Sequence, residues 1–335
     1  MEYRISQQAH CAVIGSGSWG TALVKILLEN ERSVSWHINE PDVLESLREH
    51  GKNSRYLSDV HFERERLHLS ADVNEVVRDA DIILLVVPSA FLKIILEPLT
   101  EPLSEKFVLS AIKGIVPGEL VTVAEYMNQR YGVPFDRLGI AVGPTHAEEV
   151  ALERLSYLTI GCKNLENART IGSKLEAEYI RIIHSTDIYG IEYAAIIKNI
   201  YAIAVGIAVS LGYGDNFLAV LISNAARELD RFLSGTFPAE RCTHASVYLG
   251  DLLVTSYSQF SRNRTFGMML GKGYPVNSAR IEMNQVAEGY YASACIHEIN
   301  RRFGVEMPIA DAVYDIIYGG ARPGETMQQL TKQLI

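Results

Sequence analysis

The chain has 335 residues, a length that favours about two domains. Hydrophobic residues make up 48% and charged residues 21% of it, a balance typical of globular proteins that excludes a disordered chain. The formal net charge of −9 argues against a general nucleic-acid binder, because contacts to phosphates require a basic face. Four widely separated cysteines form no CxxC pair, which argues against a disulfide framework or a zinc site and favours a reduced, cytoplasmic setting.

The first half of the chain alternates strand and helix signals. Residues 1–10 hold no apolar stretch, so no secretory signal is predicted there. Short apolar runs separated by helical spacing, as at residues 19–31, are typical of a doubly wound α/β sheet. The predicted strands cover residues 10–15, 33–38, 81–88, 107–111, 138–142, 156–160 and 180–183.

Beyond about residue 190, helical patterns replace the strand patterns. They cover residues 191–211, 218–233, 280–302 and 308–318. We therefore predict a Rossmann-type domain at residues 1–189 and an all-helical domain at residues 190–335, with a ligand cleft between them. The first of these helices approaches membrane-spanning length, but it contains Lys198, which is costly in lipid. We therefore predict a core helix and no membrane insertion.

A glycine-rich turn follows the first predicted strand. Gly15, Gly17 and Gly20 fit the pattern G-x-G-x-x-G between a strand and a helix. The first glycine permits a tight turn, the second lets the backbone approach a pyrophosphate, and the third lets the helix pack close to the strand. The helix N-terminus then offers free N–H groups to phosphates. The turn predicts a dinucleotide cofactor, NAD or NADP.

The residues after the second predicted strand should contact the adenosine ribose. An acidic side chain at the strand end favours NAD, and an arginine favours NADP. In this window Asn39 is neutral, and Glu40 lies further along the chain than the residue expected to contact the ribose. His37 does not by itself favour either NAD or NADP. The sequence therefore leaves the choice of cofactor open.

Two lysines are candidates for chemistry. Lys113 follows a predicted strand, at the edge where parallel sheets bind ligands, although a solvated loop lysine is the alternative. Lys198 lies in a long apolar helix. A buried ammonium is costly unless it is paired, and its pKa falls readily, which suits proton transfer. The alternative for Lys198 is a side chain that extends to the domain surface.

A polar cluster lies at residues 249–264. Asp251 and Thr255 are four positions apart, so they share one face of a helix. Residues 261–264, SRNR, then bring two guanidiniums, a hydroxyl and an amide together. This set suits the binding of a phosphate, and a surface of salt bridges is the alternative.

Taken in order, these motifs resemble the bacterial-type NAD(P)-dependent glycerol-3-phosphate dehydrogenases. The matching blocks are GSGSWGTAL (15–23), VVPS (86–89), KG (113–114), GPTHAEEV (143–150), KN (198–199), LGDLLVTS (249–256), SRNRTFGMMLG (261–271), VAEG (286–289) and FGVEMPI (303–309). The resemblance covers nearly the whole chain. It implies reversible hydride transfer between NAD(P)H and dihydroxyacetone phosphate, giving sn-glycerol 3-phosphate for glycerophospholipid synthesis. We also predict a homodimer, although the sequence itself does not determine the oligomeric state.

The resemblance further implies roles for individual residues. Lys198 would be the proton donor or acceptor at the reacting oxygen, Asp251 would orient it and a substrate hydroxyl, and Lys113 would contact both substrate and cofactor. The other implied substrate contacts are Gly143, Thr145, Ser261, Arg262 and Asn263, of which the last three would hold the phosphate. The implied cofactor contacts beyond the turn glycines are Ser18, Trp19, His37, Lys113, Ala147, Arg262, Val286 and Glu288.

The chain also departs from the usual family pattern. The departures are Leu218, Ser223-Asn224, Tyr248 and Ser256. They remove no residue with an implied chemical role, but they alter the lining of the helical domain and bear on subunit contacts and regulation.

Two other functions stay open: a Rossmann dehydrogenase of another hydroxy acid or sugar phosphate, and a nucleotide-binding sensor without catalysis. The presence of Lys198 and Asp251 argues against the sensor.

Overall fold

The structure is a computed structural model that describes residues 3–283 and 285–335. The first two residues of the amino-terminal stretch discussed above therefore lie outside the described residues. The described residues divide into two compact units. The first unit, here called the sheet unit, comprises the chain up to Ile112 together with Val121–Ile188. The second, the helical unit, comprises Lys113–Leu120 and Tyr189–Ile335, so that Lys113 belongs to it.

One sheet forms the core of the sheet unit. Within the described residues it has eight strands: β1 Cys11–Ile14, β2 Val34–His37, β3 Leu67–Ser70, β4 Ile82–Leu85, β5 Phe107–Ser110, β6 Leu138–Val142, β7 Ser156–Cys162 and β8 Ile180–Ser185. Their order across the sheet is β3-β2-β1-β4-β5-β6-β7-β8. All neighbours are parallel except β6 and β7, which are antiparallel. The seven predicted strands are all present, and the predicted Rossmann-type sheet is confirmed.

The strand that the sequence did not predict is β3. It lies at the edge of the sheet and pairs only with β2 among the described strands. Only Leu67 of its four residues is buried, so it lacks the continuous apolar run that marks a strand such as β4.

Helices follow most of the strands. In the sheet unit they are α1 Ser18–Asn30, α2 Pro41–His50, α3 Val73–Arg78, α4 Leu92–Leu96, α5 Val123–Tyr131, α6 Ala147–Ala151 and α7 Leu165–Leu175. The apolar face of α1 is buried, including Leu23, Ile26 and Leu27. Burial of such side chains stabilises the unit by roughly 1.5–3 kcal/mol each.

The helical unit is built from a second set of helices. They are α8 Ile188–Ser210, α9 Asp215–Thr236, α10 Asp251–Tyr257, α11 Arg262–Gly271, α12 Val276–Glu282, α13 Glu288–Asn300, α14 Pro308–Ile317 and α15 Pro323–Leu330. The single helix predicted for residues 280–302 is wrong, because the chain leaves the helix after Glu282 and re-enters it at Glu288. A Cβ at Gly289 would lie 2.6 Å from the carbonyl oxygen of Asn199. The start of α13 is therefore set by contact with α8, which the local pattern does not reveal.

Helix α8 is the core helix of this unit. It is the one helix among the described residues that is long and apolar enough to cross a membrane, with a mean hydropathy of 1.6 in its most apolar window. However, 89% of that window is buried inside the protein. The prediction of a core helix is therefore confirmed.

Helices α8 and α11 meet through their backbones. A Cβ at Gly267 of α11 would lie 2.1 Å from the carbonyl oxygen of Ile203, and a Cβ at Gly206 of α8 would meet α11 equally closely. Because side chains do not fit at such distances, glycine at both positions permits this close approach. The contact matters because α8 carries Lys198 and α11 begins with Arg262. It sets the spacing between two residues that the sequence singled out.

Candidate functional site

The glycine-rich turn joins β1 to α1 in the sheet unit. Gly15 adopts a φ of +122°, and a Cβ there would lie 2.6 Å from the carbonyl oxygen of Val86. A Cβ at Gly20 would lie 2.2 Å from the carbonyl oxygen of Gly15. Both positions therefore need glycine for the fold itself, as the fingerprint predicted.

Gly17 differs from these two glycines. It has an ordinary φ of −66°, and a Cβ built on it would meet nothing within 4 Å. Nothing in the described protein therefore requires glycine at this position. The open space lies at the N-terminus of α1, where helix N–H groups lack intrahelical acceptors and favour anions. A methyl group at Gly17 would intrude where a pyrophosphate would approach, so the turn fits a dinucleotide.

Side chains behind the turn hold its carbonyl groups in place. Trp36 Nε1 donates to the oxygen of Gly15 at 2.9 Å. Asn53 Nδ2 donates to the oxygen of Ser16 at 2.8 Å and to Thr21 Oγ1 at 2.9 Å, and Asn53 is fully buried. Asn53 was not predicted from the sequence, because an asparagine in a polar loop carries no signal of burial.

The other predicted residues of the sheet unit lie at or beyond the carboxyl ends of parallel strands. Ser18 and Trp19 open α1, His37 ends β2, Gly143 and Thr145 follow β6, and Ala147 opens α6. Thr145 donates to the carbonyl oxygen of Gly143 through its backbone N at 2.8 Å and its hydroxyl at 3.2 Å. Burial lowers the pKa of His37, which is 4% exposed. This edge of an open α/β sheet is where such folds bind ligands.

In the helical unit, one carboxylate faces two lysines. Lys198 Nζ donates to Asp251 Oδ1 at 2.5 Å and to Thr255 Oγ1 at 2.8 Å. Asp251 Oδ2 lies 3.6 Å from Lys113 Nζ. Lys198 is 3% and Asp251 1% exposed. The structure thus brings together Lys113, Lys198 and Asp251, which lie far apart in the sequence, and adds Thr255 to them.

The environment of Lys198 makes its amine easy to deprotonate. Burial lowers the pKa of Lys198 to about 7, although the neighbouring Asp251 opposes the shift and Lys113 adds to it. An amine with this pKa is present in both protonation states near neutral pH, which is the condition for efficient proton transfer. Asp251 Oδ2 is buried and accepts no hydrogen bond from the described residues, so it can accept one from a ligand hydroxyl.

Two asparagine amides connect this cluster to other elements. Asn199, next to Lys198, donates from Nδ2 to the carbonyl oxygen of Lys113 at 2.8 Å. Asn263 donates from Nδ2 to Asn199 Oδ1 at 2.8 Å and accepts at Oδ1 from the backbone N of Gly289 at 2.9 Å. The chain of bonds ties the Lys113 segment, α8, α11 and the start of α13 together. No role for Asn199 was predicted from the sequence, although a polar residue beside Lys198 in an apolar helix was an available signal.

The remaining predicted residues of the helical unit lie at two helix starts. Ser261 caps α11, since its hydroxyl accepts from the backbone N of Arg264 at 3.3 Å. Arg262 is the first residue of α11 and is exposed. Val286 and Glu288 are half-buried at the start of α13. The α11 N-terminus with Arg262 therefore combines a guanidinium with a helix end that favours anions.

The residues that depart from the family pattern lie within the helical unit. Asn224 hydrogen-bonds the backbone of Ile335, donating to its oxygen at 2.8 Å and accepting from its nitrogen at 3.2 Å. Leu218 and Tyr248 are buried, and Ser256 is fully buried in α10 with no hydrogen bond from its hydroxyl to the described residues. The departures therefore affect internal packing and the attachment of the carboxyl-terminal residue.

Comparison with known proteins agrees with this geometry. Family models described as the N-terminus and the C-terminus of NAD-dependent glycerol-3-phosphate dehydrogenase match residues 10–168 and 187–328. A glycerol-3-phosphate dehydrogenase [NAD(P)+] of Syntrophotalea carbinolica is 34% identical over 96% of this chain and 97% of the relative. One from Desulfotalea psychrophila is 35% identical over 95% of both chains. The crystal structure of glycerol-3-phosphate dehydrogenase from Coxiella burnetii superposes with a TM-score of 0.89 at 28% identity, covering 97% of this chain and 99% of that one. This chain therefore belongs to the NAD-dependent glycerol-3-phosphate dehydrogenase family.

Proposed function

We propose that this protein reversibly reduces dihydroxyacetone phosphate to sn-glycerol 3-phosphate with NADH or NADPH, and so supplies glycerophospholipid synthesis. The observation that carries the proposal is the buried pair of Lys198 and Asp251, in the same unit as the exposed Arg262 at a helix N-terminus. The first group suits proton transfer to a carbonyl oxygen, and the second suits a phosphate.

Lys198 is the proposed acid of the reduction. A bound nicotinamide supplies the hydride. Negative charge then develops on the carbonyl oxygen of the substrate, and the ammonium of Lys198 stabilises this charge and donates its proton. Asp251 holds the ammonium through Oδ1, and its Oδ2 can accept a hydrogen bond from the substrate hydroxyl. In the oxidation direction, the neutral amine accepts the proton.

The substrate phosphate is proposed to bind at the start of α11. Arg262 would contact it, while Asn263 and the capping Ser261 keep the helix end in place. Because the phosphate is remote from the reacting carbon, its binding energy can position the carbonyl. Gly143, Thr145 and Lys113 are proposed as further substrate contacts. The proposed cofactor contacts are Gly15, Gly17, Ser18, Trp19, Gly20, His37, Lys113, Ala147, Arg262, Val286 and Glu288.

The direct test is to follow the absorbance of NADH and NADPH, separately, with dihydroxyacetone phosphate and with unphosphorylated dihydroxyacetone. We expect oxidation of the cofactor that depends on the phosphorylated ketone. Preference for another hydroxy acid or sugar phosphate across a substrate panel would replace the proposed substrate. Binding of the cofactor without turnover of any substrate would instead support the alternative function, a nucleotide-binding sensor without catalysis.

Replacing Arg262 by alanine should raise KM for dihydroxyacetone phosphate by about 10- to 100-fold, because hydrogen bonds to a charged group are lost. Turnover of unphosphorylated dihydroxyacetone should fall much less, because that reaction loses only the proposed contact between Arg262 and the cofactor. Arg301, an exposed arginine of the same unit that pairs with Glu298, provides the control R301A. Steady-state kinetics with both ketones make the measurement, and equal losses on both would refute the phosphate role.

Replacing Gly17 by alanine should weaken NADH binding by about tenfold or more and leave the melting temperature unchanged, because the added methyl meets only open space in the protein. Gly214 is a matched control: it also precedes a helix with an ordinary φ, and its Cβ would also meet nothing within 4 Å. G214A should bind NADH normally. Titration of protein fluorescence with NADH and thermal unfolding are the two measurements. Normal binding by G17A would contradict the proposed nucleotide turn.

We further propose that the protein works in the cytoplasm as a homodimer that binds neither nucleic acid nor a membrane. All four cysteines are free, and Cys11, Cys162 and Cys295 are buried, which fits a reducing compartment. Light scattering after gel filtration measures the oligomeric state, and a monomer would contradict the proposed homodimer.

A further inference from the structure

A carboxylate is attached to the glycine-rich turn of the sheet unit. Glu40 lies three residues beyond the end of β2 and directly precedes α2. Its Oε2 accepts a hydrogen bond from the hydroxyl of Ser16, which stands between Gly15 and Gly17. In the sequence Glu40 stands late after the strand, but the fold brings its carboxylate to the turn.

The basic side chains that interact with Glu40 are poorly placed to receive an extra phosphate. His37 is buried, and burial lowers the pKa of its imidazole, which disfavours the charged form. Arg55 uses Nε and Nη2 in two hydrogen bonds to the carboxylate of Asp42, at 2.7 and 2.6 Å. The carboxylate of Glu40, in contrast, is hydrogen-bonded to the turn itself.

We propose that Glu40 makes this enzyme selective for NAD(H) over NADP(H), an inference that rests on the nucleotide turn of the proposed function. The adenosine ribose binds beyond the second strand of such folds. A carboxylate there accepts a hydrogen bond from the 2′-hydroxyl of NAD and repels the 2′-phosphate of NADP. The bond from Ser16 occupies Oε2 and orients the side chain, so Oε1 is the oxygen that would meet the ribose.

The test is equilibrium binding of NADH and NADPH, measured by fluorescence titration without substrate. The unaltered protein should bind NADPH at least about tenfold more weakly than NADH, the value of one lost charge-assisted hydrogen bond. Glu40→Gln keeps the shape and removes the charge, so it should bring the two dissociation constants within about threefold, mainly by tightening NADPH. Ser16→Ala removes the hydrogen bond that orients the Glu40 carboxylate but keeps its charge. It should therefore reduce the difference between the two dissociation constants less than Glu40→Gln does.

Glu45→Gln is the matched control, because it removes the same charge from an exposed position on α2. It should leave the ratio of the two dissociation constants unchanged. Raising the ionic strength should narrow the ratio for the unaltered protein, since the discrimination is electrostatic.

Three outcomes would overturn the inference. Equal binding of both nucleotides by the unaltered protein would do so, as would a ratio that Glu40→Gln leaves unchanged. Tight NADPH binding that Arg55→Ala abolishes would assign the contact to Arg55 instead. Failure to bind either nucleotide would overturn the proposed nucleotide turn itself, which separates that failure from a failure of selectivity.

Discussion

Replacing Lys198 by alanine is expected to lower kcat for the reduction of dihydroxyacetone phosphate by about 10³-fold or more. The variant loses the proton donor, worth roughly 10²–10⁴-fold, and the charge that stabilises the developing oxyanion. NADH binding should persist, because Lys198 is not among the proposed cofactor contacts. Stopped-flow and steady-state measurements of NADH oxidation give the rate, and fluorescence titration gives the binding.

The control for this variant is a second buried lysine. Lys174 in the sheet unit donates to Glu31 at 2.6 Å, and its side chain is 5% exposed. Lys174→Ala should destabilise the fold, as loss of a buried ion-paired side chain does, but retain kcat in the protein that remains folded. Near-normal turnover by Lys198→Ala would refute the assigned role.

The pH dependence provides an independent check on Lys198. Its pKa of about 7 means that the protonated amine predominates below neutral pH and the neutral amine above it. Reduction requires the protonated form, so kcat/KM for dihydroxyacetone phosphate should fall as the pH rises through about 7. Oxidation of sn-glycerol 3-phosphate requires the neutral form, so its kcat/KM should rise over the same range. Parallel profiles in the two directions would contradict a shared acid and base.

Local patterns in the sequence predicted most of the sheet. Strands buried on both faces, such as β4, appear as continuous apolar runs, which are typical of a parallel sheet. The edge strand β3 was missed because its four residues, LHLS, form no apolar run. The break between α12 and α13 was missed because contacts from Asn199 and Asn263, remote in the sequence, determine where α13 starts.

The site could be predicted in part. Lys198 stood out because a lysine in an apolar helix must be paired, and the spacing of Asp251 and Thr255 placed both on one helical face. The bond between Asn199 and Asn263 joins residues 64 positions apart and has no local signature. The same holds for the bond from Ser16 to Glu40, which brings a carboxylate to the nucleotide turn. Polar contacts between distant segments depend on the tertiary fold, so spacing alone cannot reveal them.

Replacing Asp251 by asparagine is expected to have the second large effect. Asp251 is 1% exposed and faces Lys198 at 2.5 Å and Lys113 at 3.6 Å. The variant leaves two ammonium groups near each other without a carboxylate. Loss of one partner from a buried ion pair costs about 3–5 kcal/mol, so the melting temperature should fall measurably. Asp311→Asn, which removes a half-exposed carboxylate 3.5 Å from His297, is the control in the same unit.

A purely structural role for Asp251 would lower stability without moving the pH profile. The assigned role predicts a specific shift, because Asp251 favours the protonated form of Lys198 and its loss should lower the pKa of that lysine below 7. Reduction by Asp251→Asn at pH 7 should then be slower by roughly 10²-fold, and part of the lost rate should return as the pH is lowered. If the variant folds, binds NADH and keeps the same pH profile, Asp251 does not control the protonation of Lys198. If the pH profile of Asp251→Asn shifts to lower pH while that of Asp311→Asn stays unchanged, the carboxylate of Asp251 controls the protonation of Lys198.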